Sequence, residues 1–223
     1  MGTLSIVATP IGNLEDITLR ALRVLKEADV IYAEDTRVVA KLLARYEIEK
    51  PVKRLDAVTE GKKADEVVAR LEAGERVAFV SDAGTPGVSD PGARLVAAVR
   101  EQLPGVKIEA IPGPSALTAA LSIAGLRDGA FTFLGFLPHK KGRQTELKEA
   151  AESEIPVVLY ESPHRIEKLL GELATLGLGR VSIARELTKL HEEFVAGSPQ
   201  ELLEHFKTHP DRLRGEFVVI VEP

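Results

Sequence analysis

A chain of 223 residues that is 44% hydrophobic and 28% charged carries enough apolar side chain for one large core or two small ones, and its lack of cysteine excludes disulfides, thiolate chemistry and cysteine-ligated metals. No run of about 18 apolar residues is present, and Met1-Gly2-Thr3 leads straight into a strand pattern, so we expect a cytosolic protein with no membrane span and no secretion signal. The formal net charge of -5 argues against a surface coated with basic residues but leaves room for a local basic patch; among His139, His164, His191, His205 and His209 no pair has helical metal-ligand spacing within one apolar face, His205 and His209 being four apart but next to Pro210 at a helix end, so no metal site is expected.

Leu4 to Thr9 reads as a first buried strand, with Pro10-Ile11-Gly12-Asn13 as the turn after it. Leu19, Leu22, Val24 and Leu25 then fall mostly at helical spacing, with Asp16 or Thr18 as the cap. Val30 to Ala33 is a second strand, and Asp35 or Thr36 can cap the helix carrying Val39, Leu42, Leu43 and Tyr46. A weaker strand follows at Val52 to Leu55, then a polar stretch from Asp56 to Lys63, and a helix from about Ala64 to Ala73 that stops at Gly74. This β-α-β-α rhythm predicts a mainly parallel sheet.

The strand Val77 to Val80 runs into Ser81-Asp82-Ala83-Gly84-Thr85-Pro86-Gly87-Val88-Ser89-Asp90-Pro91-Gly92, three glycines and two prolines in twelve residues. Such loops at the carboxyl ends of strands are where open α/β sheets bind ligands, and glycine and proline make a stiff surface of main-chain groups; a rigid surface turn is the alternative. A helix around Leu95, Val96 and Val99 and the strand Lys107 to Ile111 lead to a third loop of the same kind, Pro112-Gly113-Pro114-Ser115, whose serine can cap a helix from Ala116 to Ala124.

The second half has more strands per residue. Phe131 to Leu137 alternates as a strand and leads into the densest basic cluster, His139-Lys140-Lys141-Gly142-Arg143. A charged helix, the strand Val157 to Tyr160, a helix ending near Gly177 and strands at Val181 to Arg185, Glu192 to Ala196 and Glu216 to Val221 follow, with a capping box Ser198-Pro199-Gln200-Glu201 between the last two. We therefore expect a first α/β domain over 1–112 with a mainly parallel sheet, a second over 113–223 with a mixed sheet, and a ligand cleft between them.

Eight segments in order along the chain carry a family resemblance: Val7 to Leu14, Ala33-Glu34-Asp35-Thr36-Arg37, Ser81 to Gly92, Pro112-Gly113-Pro114, Gly135 to Pro138, Tyr160-Glu161-Ser162-Pro163-His164-Arg165, Ala184 to Lys189 and Gly215-Glu216. Together they resemble the bacterial methyltransferases that 2′-O-methylate a cytidine of 16S ribosomal RNA, within the tetrapyrrole-methylase superfamily. The resemblance implies S-adenosylmethionine as cofactor, two α/β domains, a homodimer, and the small ribosomal subunit as partner. It implies cofactor contacts at Pro10, Ile11, Ala83, Gly84, Thr85, Val88, Ser89, Ser115 and Ala116, and from the second domain at Tyr160, Glu161, Leu187, Gly215 and Glu216.

Transfer of a methyl group to a ribose hydroxyl needs alignment, removal of the hydroxyl proton and exclusion of water. Glu186, Lys189 and Asp35 are the candidate catalytic groups, although Asp35 can equally serve as a helix cap and Glu186 as a salt-bridge partner of Arg185 or Arg165. Arg37, His139, Lys140, Lys141, Arg143 and Arg165 are the candidates for RNA contact, the alternative being a solvated basic loop. Two departures stand out. Val58-Thr59-Glu60 replaces the His-Asn-Glu usual in the family, and the sequence stops at Pro223 where many members continue into a helical extension. A tetrapyrrole or other small-molecule methylase, and a noncatalytic S-adenosylmethionine-binding protein, are the competing readings.

Overall fold

The computed structural model describes residues 1–127 and 129–223, which form two compact units, Met1–Ser115 and Ala116–Pro223. The first is a five-stranded sheet made of β1 (Thr3–Val7), β2 (Val30–Ala33), β3 (Val52–Arg54), β4 (Arg76–Val80) and β5 (Lys107–Ile111). Its order is β3-β2-β4-β1-β5, with every pairing parallel. Because side chains alternate across a strand, β4 sends Ala78 and Val80 to one face and Val77 and Phe79 to the other. Helices α1 (Leu19–Glu27) and α2 (Thr36–Arg45) cover the first face with Ala21, Leu25, Val39, Leu42 and Leu43. Helices α3 (Glu60–Glu72) and α4 (Ala93–Gln102) cover the second with Val67, Leu71, Leu95 and Val99. Both faces are thus buried, as a parallel sheet requires.

Caps resolve the alternatives that sequence left open. The Thr18 side chain accepts from the Ala21 N–H and starts α1, and Asp35 accepts from the Arg37 N–H and starts α2. The polar stretch before Ala64 is already helical from Glu60, because that carboxylate is needed inside. Glu60 is only 3% exposed, and its Oε1 accepts from the main-chain N–H groups of Gly92 and Leu95, both at 2.9 Å. One helix start thereby caps another and pins the end of the glycine-proline loop. Gly92 has φ of 126°, and a Cβ there would lie 2.8 Å from the Phe79 ring, so only glycine fits.

The second unit is a mixed sheet of β6 (Thr132–Phe136), β7 (Val157–Glu161), β8 (Arg180–Arg185), β9 (Glu193–Gly197) and β10 (Phe217–Glu222). The order is β6-β7-β10-β8-β9, with only β6 and β7 parallel. The register of β6 shifts between Phe133 and Gly135, which turns its alternation at Leu134. A nine-residue apolar helix, α5 (Ala116–Ala124), lies against β10. Helices α6 (Arg143–Ala151), α7 (Ile166–Thr175) and α8 (Pro199–Thr208) pack Leu147, Leu169, Leu173, Leu202 and Phe206 onto Leu159, Ile183 and Val219. The capping box forms as expected: Ser198 accepts from the Glu201 N–H, and the Glu201 carboxylate accepts from the Ser198 N–H.

Glu60→Ala leaves two helix-start N–H groups without their charged acceptor and should cost about 3 kcal/mol. Glu60→Gln keeps an acceptor oxygen and should lose markedly less. Urea denaturation of the two variants checks this, and equal stability of both would contradict the assigned role.

Candidate active site

In the first sheet β1 connects through α1 on one face and its neighbour β4 through α4 on the other, so their carboxyl ends open a crevice at the point where the winding reverses. The three glycine-proline loops meet there. Thr9 and Gly84 exchange main-chain hydrogen bonds of 2.8 and 3.0 Å, tying the first loop to the second. The Thr85 hydroxyl donates to the Pro114 carbonyl at 3.2 Å, tying the second to the third. Gly113 lies so close to Ala8 that an added Cβ would sit 3.0 Å from the alanine methyl group. Gly84 itself has φ of 79°, with the Ile11 side chain 3.4 Å from where a Cβ would stand. Pro10, Ile11, Gly84, Thr85 and the chain before Ser115 are thereby brought together, and Ser89, at φ of 61°, holds a left-handed turn further along the loop.

A run of carboxylates borders the loops. The Asp82 Oδ1 accepts from the Asp35 N–H at 2.9 Å, at the ends of the neighbouring strands β4 and β2. Burial, then the charge of Asp82, raises the Glu34 carboxyl above its ordinary range, and burial raises Asp82 as well. Asp35 differs: both its oxygens accept from the Arg37 guanidinium, at 3.0 and 2.5 Å, which holds its carboxyl well below the usual carboxylate range. Glu34 and Asp82 escaped the sequence reading although both lie inside quoted segments, because nothing in the chain order says that β2 and β4 are neighbours.

In the second unit Tyr160, Glu161, Leu187, Gly215 and Glu216 gather at one end of the sheet, where Phe217 pairs with both Glu161 and Arg185. The Tyr160 hydroxyl accepts from the Leu117 N–H at 3.1 Å, and its ring meets Phe133 and Phe136 edge-on. Glu161 is buried and serves as an internal anchor: Arg165 binds both its oxygens at 2.6 and 2.9 Å. Glu186 is left-handed at φ of 50° and holds the Lys189 ammonium at 2.8 Å. Its carboxylate lies across Gly215, whose φ is 80°, so a side chain there would be strained and would displace Glu186, whose Oε1 stands 1.7 Å from where a Cβ would be. The pairing of Glu186 is with Lys189, since Arg185 is taken by Glu193 and Arg165 by Glu161.

The basic candidates separate into two kinds. His139, Lys140, Lys141 and Arg37 are exposed. Arg143 is buried: it donates twice to Glu172 Oε2, at 3.0 and 2.8 Å, with Glu161 at 3.6 Å. As the first residue of α6 it turns inward, and it is a core ion pair rather than an RNA contact. Arg165 is likewise engaged, with Glu161 and the Leu137 carbonyl. Val58 is fully in solvent, while the Thr59 hydroxyl donates to Asp56 at 2.8 Å, so this departure from the family pattern keeps a local turn.

An all-parallel sheet with its strand-end loops joined at the switch point, followed by a mixed second sheet, defines a two-unit α/β fold of ligand-binding type. The family model described as Tetrapyrrole (Corrin/Porphyrin) Methylases matches residues 3–203, and the chain belongs to this family. It is 47% identical, over 98% of its length and 97% of the relative's, to a protein of Borrelia garinii subsp. bavariensis named Ribosomal RNA small subunit methyltransferase I. A protein of the same name from Thermotoga maritima is 44% identical over 99% of this chain and 98% of that one. A relative of that name from Neisseria meningitidis serogroup B is 46% identical over 100% of this chain and 76% of that longer one. Among solved structures, diphthine synthase has a TM-score of 0.74 at 19% identity, covering 99% of this chain and 90% of that one. The cobalt precorrin-4 methyltransferase of cobalamin biosynthesis has a TM-score of 0.67 at 19% identity, over 99% and 96%. At these identities the two structures speak for the fold.

Arg143→Ala removes a buried cation shared by Glu172 and Glu161 and should cost roughly 3 kcal/mol, whereas Lys140→Gln with Lys141→Gln should stay within about 0.5 kcal/mol of the parent in urea melts. A second prediction concerns pH. An acid whose folded pKa is raised binds more protons folded than unfolded, so its contribution to stability falls as pH rises through and beyond the ordinary carboxylate range. Asp82→Asn keeps an acceptor for the Asp35 N–H and removes the charge facing Glu34. It should therefore gain stability relative to the parent above about pH 5, with the gain fading toward about pH 3; a pH-independent difference would contradict the repulsion.

Proposed function

We propose that this protein is an S-adenosylmethionine-dependent methyltransferase that methylates the 2′-hydroxyl of a cytidine ribose in 16S RNA of the small ribosomal subunit. The substrate reading is supported by near full-length similarity to relatives named for small-subunit ribosomal RNA methylation. The cofactor reading rests on the junction of Thr9, Gly84 and Pro114, a neutral cradle of main-chain groups whose glycine leaves open the space a side chain would fill. Such a cradle fits a zwitterionic sulfonium cofactor, and the bound cofactor would supply the electrophilic methyl group.

The chain's own part is to orient and to move a proton. Pro10, Ile11, Ala83, Gly84, Thr85, Val88, Ser89, Ser115 and Ala116 are the proposed contacts in this cradle. Glu34 and Asp82 are the proposed proton acceptors for the ribose hydroxyl, because their raised carboxyls are more basic than that of Asp35, which is locked to Arg37. Lys189, held by Glu186, offers a fixed positive charge. His139, Lys140, Lys141 and Arg37 remain the proposed RNA-backbone contacts.

We also propose a homodimer in the cytoplasm. Helix α5 carries no charge, buries only Ala120 and exposes Ile123, and the edge strand β6 exposes Leu134 and Phe136, apolar surface suited to a second copy. Among the described residues no helix is long and apolar enough to cross a membrane.

Labelled methyl transfer to purified, unmethylated small subunits should place label on a cytidine ribose. Gly84→Val, a β-branched residue at positive φ, should lower S-adenosylmethionine affinity at least roughly tenfold by calorimetry and abolish transfer. Label on a tetrapyrrole and none on subunits would move the function to the small-molecule reading.

A further inference from the structure

The amino-end half of the first sheet carries a charged groove that the methyl-transfer reading does not use. It is a cavity of about 470 Å³ between α1 and the edge strand β5, lined by Arg20, Arg23 and Glu27 of the helix and by Arg76, Lys107 and Glu109 of the strands. Thr3, Arg76 and Lys107 sit at the first positions of β1, β4 and β5, and Ser5 and Glu109 at the third positions of β1 and β5, so the groove runs from the amino ends of the strands to their middle, about 7 to 13 Å along the strands from the loops at their carboxyl ends. Four cations face two carboxylates, an excess of two positive charges in a chain whose net charge is -5.

The carboxylates arrange the cations instead of neutralising them. Glu27 lies 3.2 Å from Arg76 and 3.8 Å from Arg23. Glu109 lies 2.7 Å from Lys107 and 3.9 Å from Arg20, and the Ser5 hydroxyl donates to its Oε1 at 2.9 Å. Lys107 first, with Ser5 and Arg20, holds the Glu109 carboxyl below its ordinary range, so the scaffold stays charged. Each carboxylate is shared between two cations, while the side chains of Arg23 and Arg76 keep most of their surface in water, at 64% and 62% exposure. Guanidinium groups fanned along an open groove suit successive phosphodiesters better than one enclosed anion.

We propose that this groove is an accessory docking site for the ribosomal RNA backbone, taking about two phosphates along the flank of the sheet, outside the cofactor cradle. The inference rests on the ribosomal RNA reading. A small acceptor held at the cradle does not extend along the strands into this groove, whereas RNA in a ribosomal subunit can, so the groove would raise affinity for the assembled substrate without touching the chemistry.

The test is binding of the full-length protein to unmethylated small subunits across a potassium chloride series, with methyl transfer measured in parallel. Arg23→Gln with Arg76→Gln should weaken binding roughly tenfold at moderate salt and reduce the slope of log affinity against log salt by about two, one for each phosphate no longer neutralised. Melting temperature and S-adenosylmethionine affinity should match the parent. Lys62→Gln with Arg100→Gln, an equal charge change on the exposed faces of α3 and α4, should leave the slope unchanged. An unaltered slope in the groove variant, or an equal drop in the control pair, overturns the proposal while the ribosomal RNA reading stands. Tight calorimetric binding of inorganic phosphate to the groove would overturn it in favour of a free-anion site. If the parent protein neither binds nor methylates subunits, the underlying reading fails, and the groove proposal with it.

Discussion

The two main-chain hydrogen bonds between Thr9 and Gly84 are the constraint on which the first unit's candidate site depends. They join loops that leave neighbouring strands in opposite directions, and so hold together a crevice that the winding of the sheet would otherwise leave as two separate turns. The positive φ of Gly84 makes this contact possible, and Thr85 extends it to the third loop through Pro114. Behind the loops, Glu60 fixes the start of α4 and thus the far end of the longest one. The cradle is accordingly built from backbone, and its shape depends on few side chains.

Charge in this protein is local and directed. The net charge is negative, and the carboxylates of Glu34 and Asp82 beside the cradle account for part of that sign. Positive charge collects elsewhere: in the exposed His139 to Lys141 loop and in the groove under α1. Other cations are engaged internally. Arg143 and Arg165 converge on Glu161, where they tie α6 and the start of α7 to the end of β7. An arginine count therefore overstates the surface open to an acidic partner, and burial decides which cations remain free for one.

Much of the architecture was legible from residue order. The short apolar runs Val77 to Val80 and Val30 to Ala33, rich in β-branched and aromatic residues, read as buried strands, and the intervening helical spacing implied parallel connections. The Ser198 capping box and the Asp35 cap were readable because their chemistry is local. What failed to show was everything set by tertiary neighbours. Glu60 looked like part of a polar linker because its partners are 32 and 35 residues away. Arg143 looked like a surface cation because the carboxylates that draw it inward lie on β7 and α7. The Glu34 and Asp82 pair, and the groove between α1 and β5, exist only once strand order is known. Family resemblance supplied the cofactor and the substrate, neither of which composition or periodicity could reach.

The central claim is that the three joined loops of the first unit form the cofactor cradle. Hydrogen–deuterium exchange with and without S-adenosylmethionine tests it most directly. The account predicts slowed exchange in peptides covering 8–14, 81–92 and 112–116 when the cofactor is added. Binding detected by calorimetry with exchange unchanged in all three segments would contradict it.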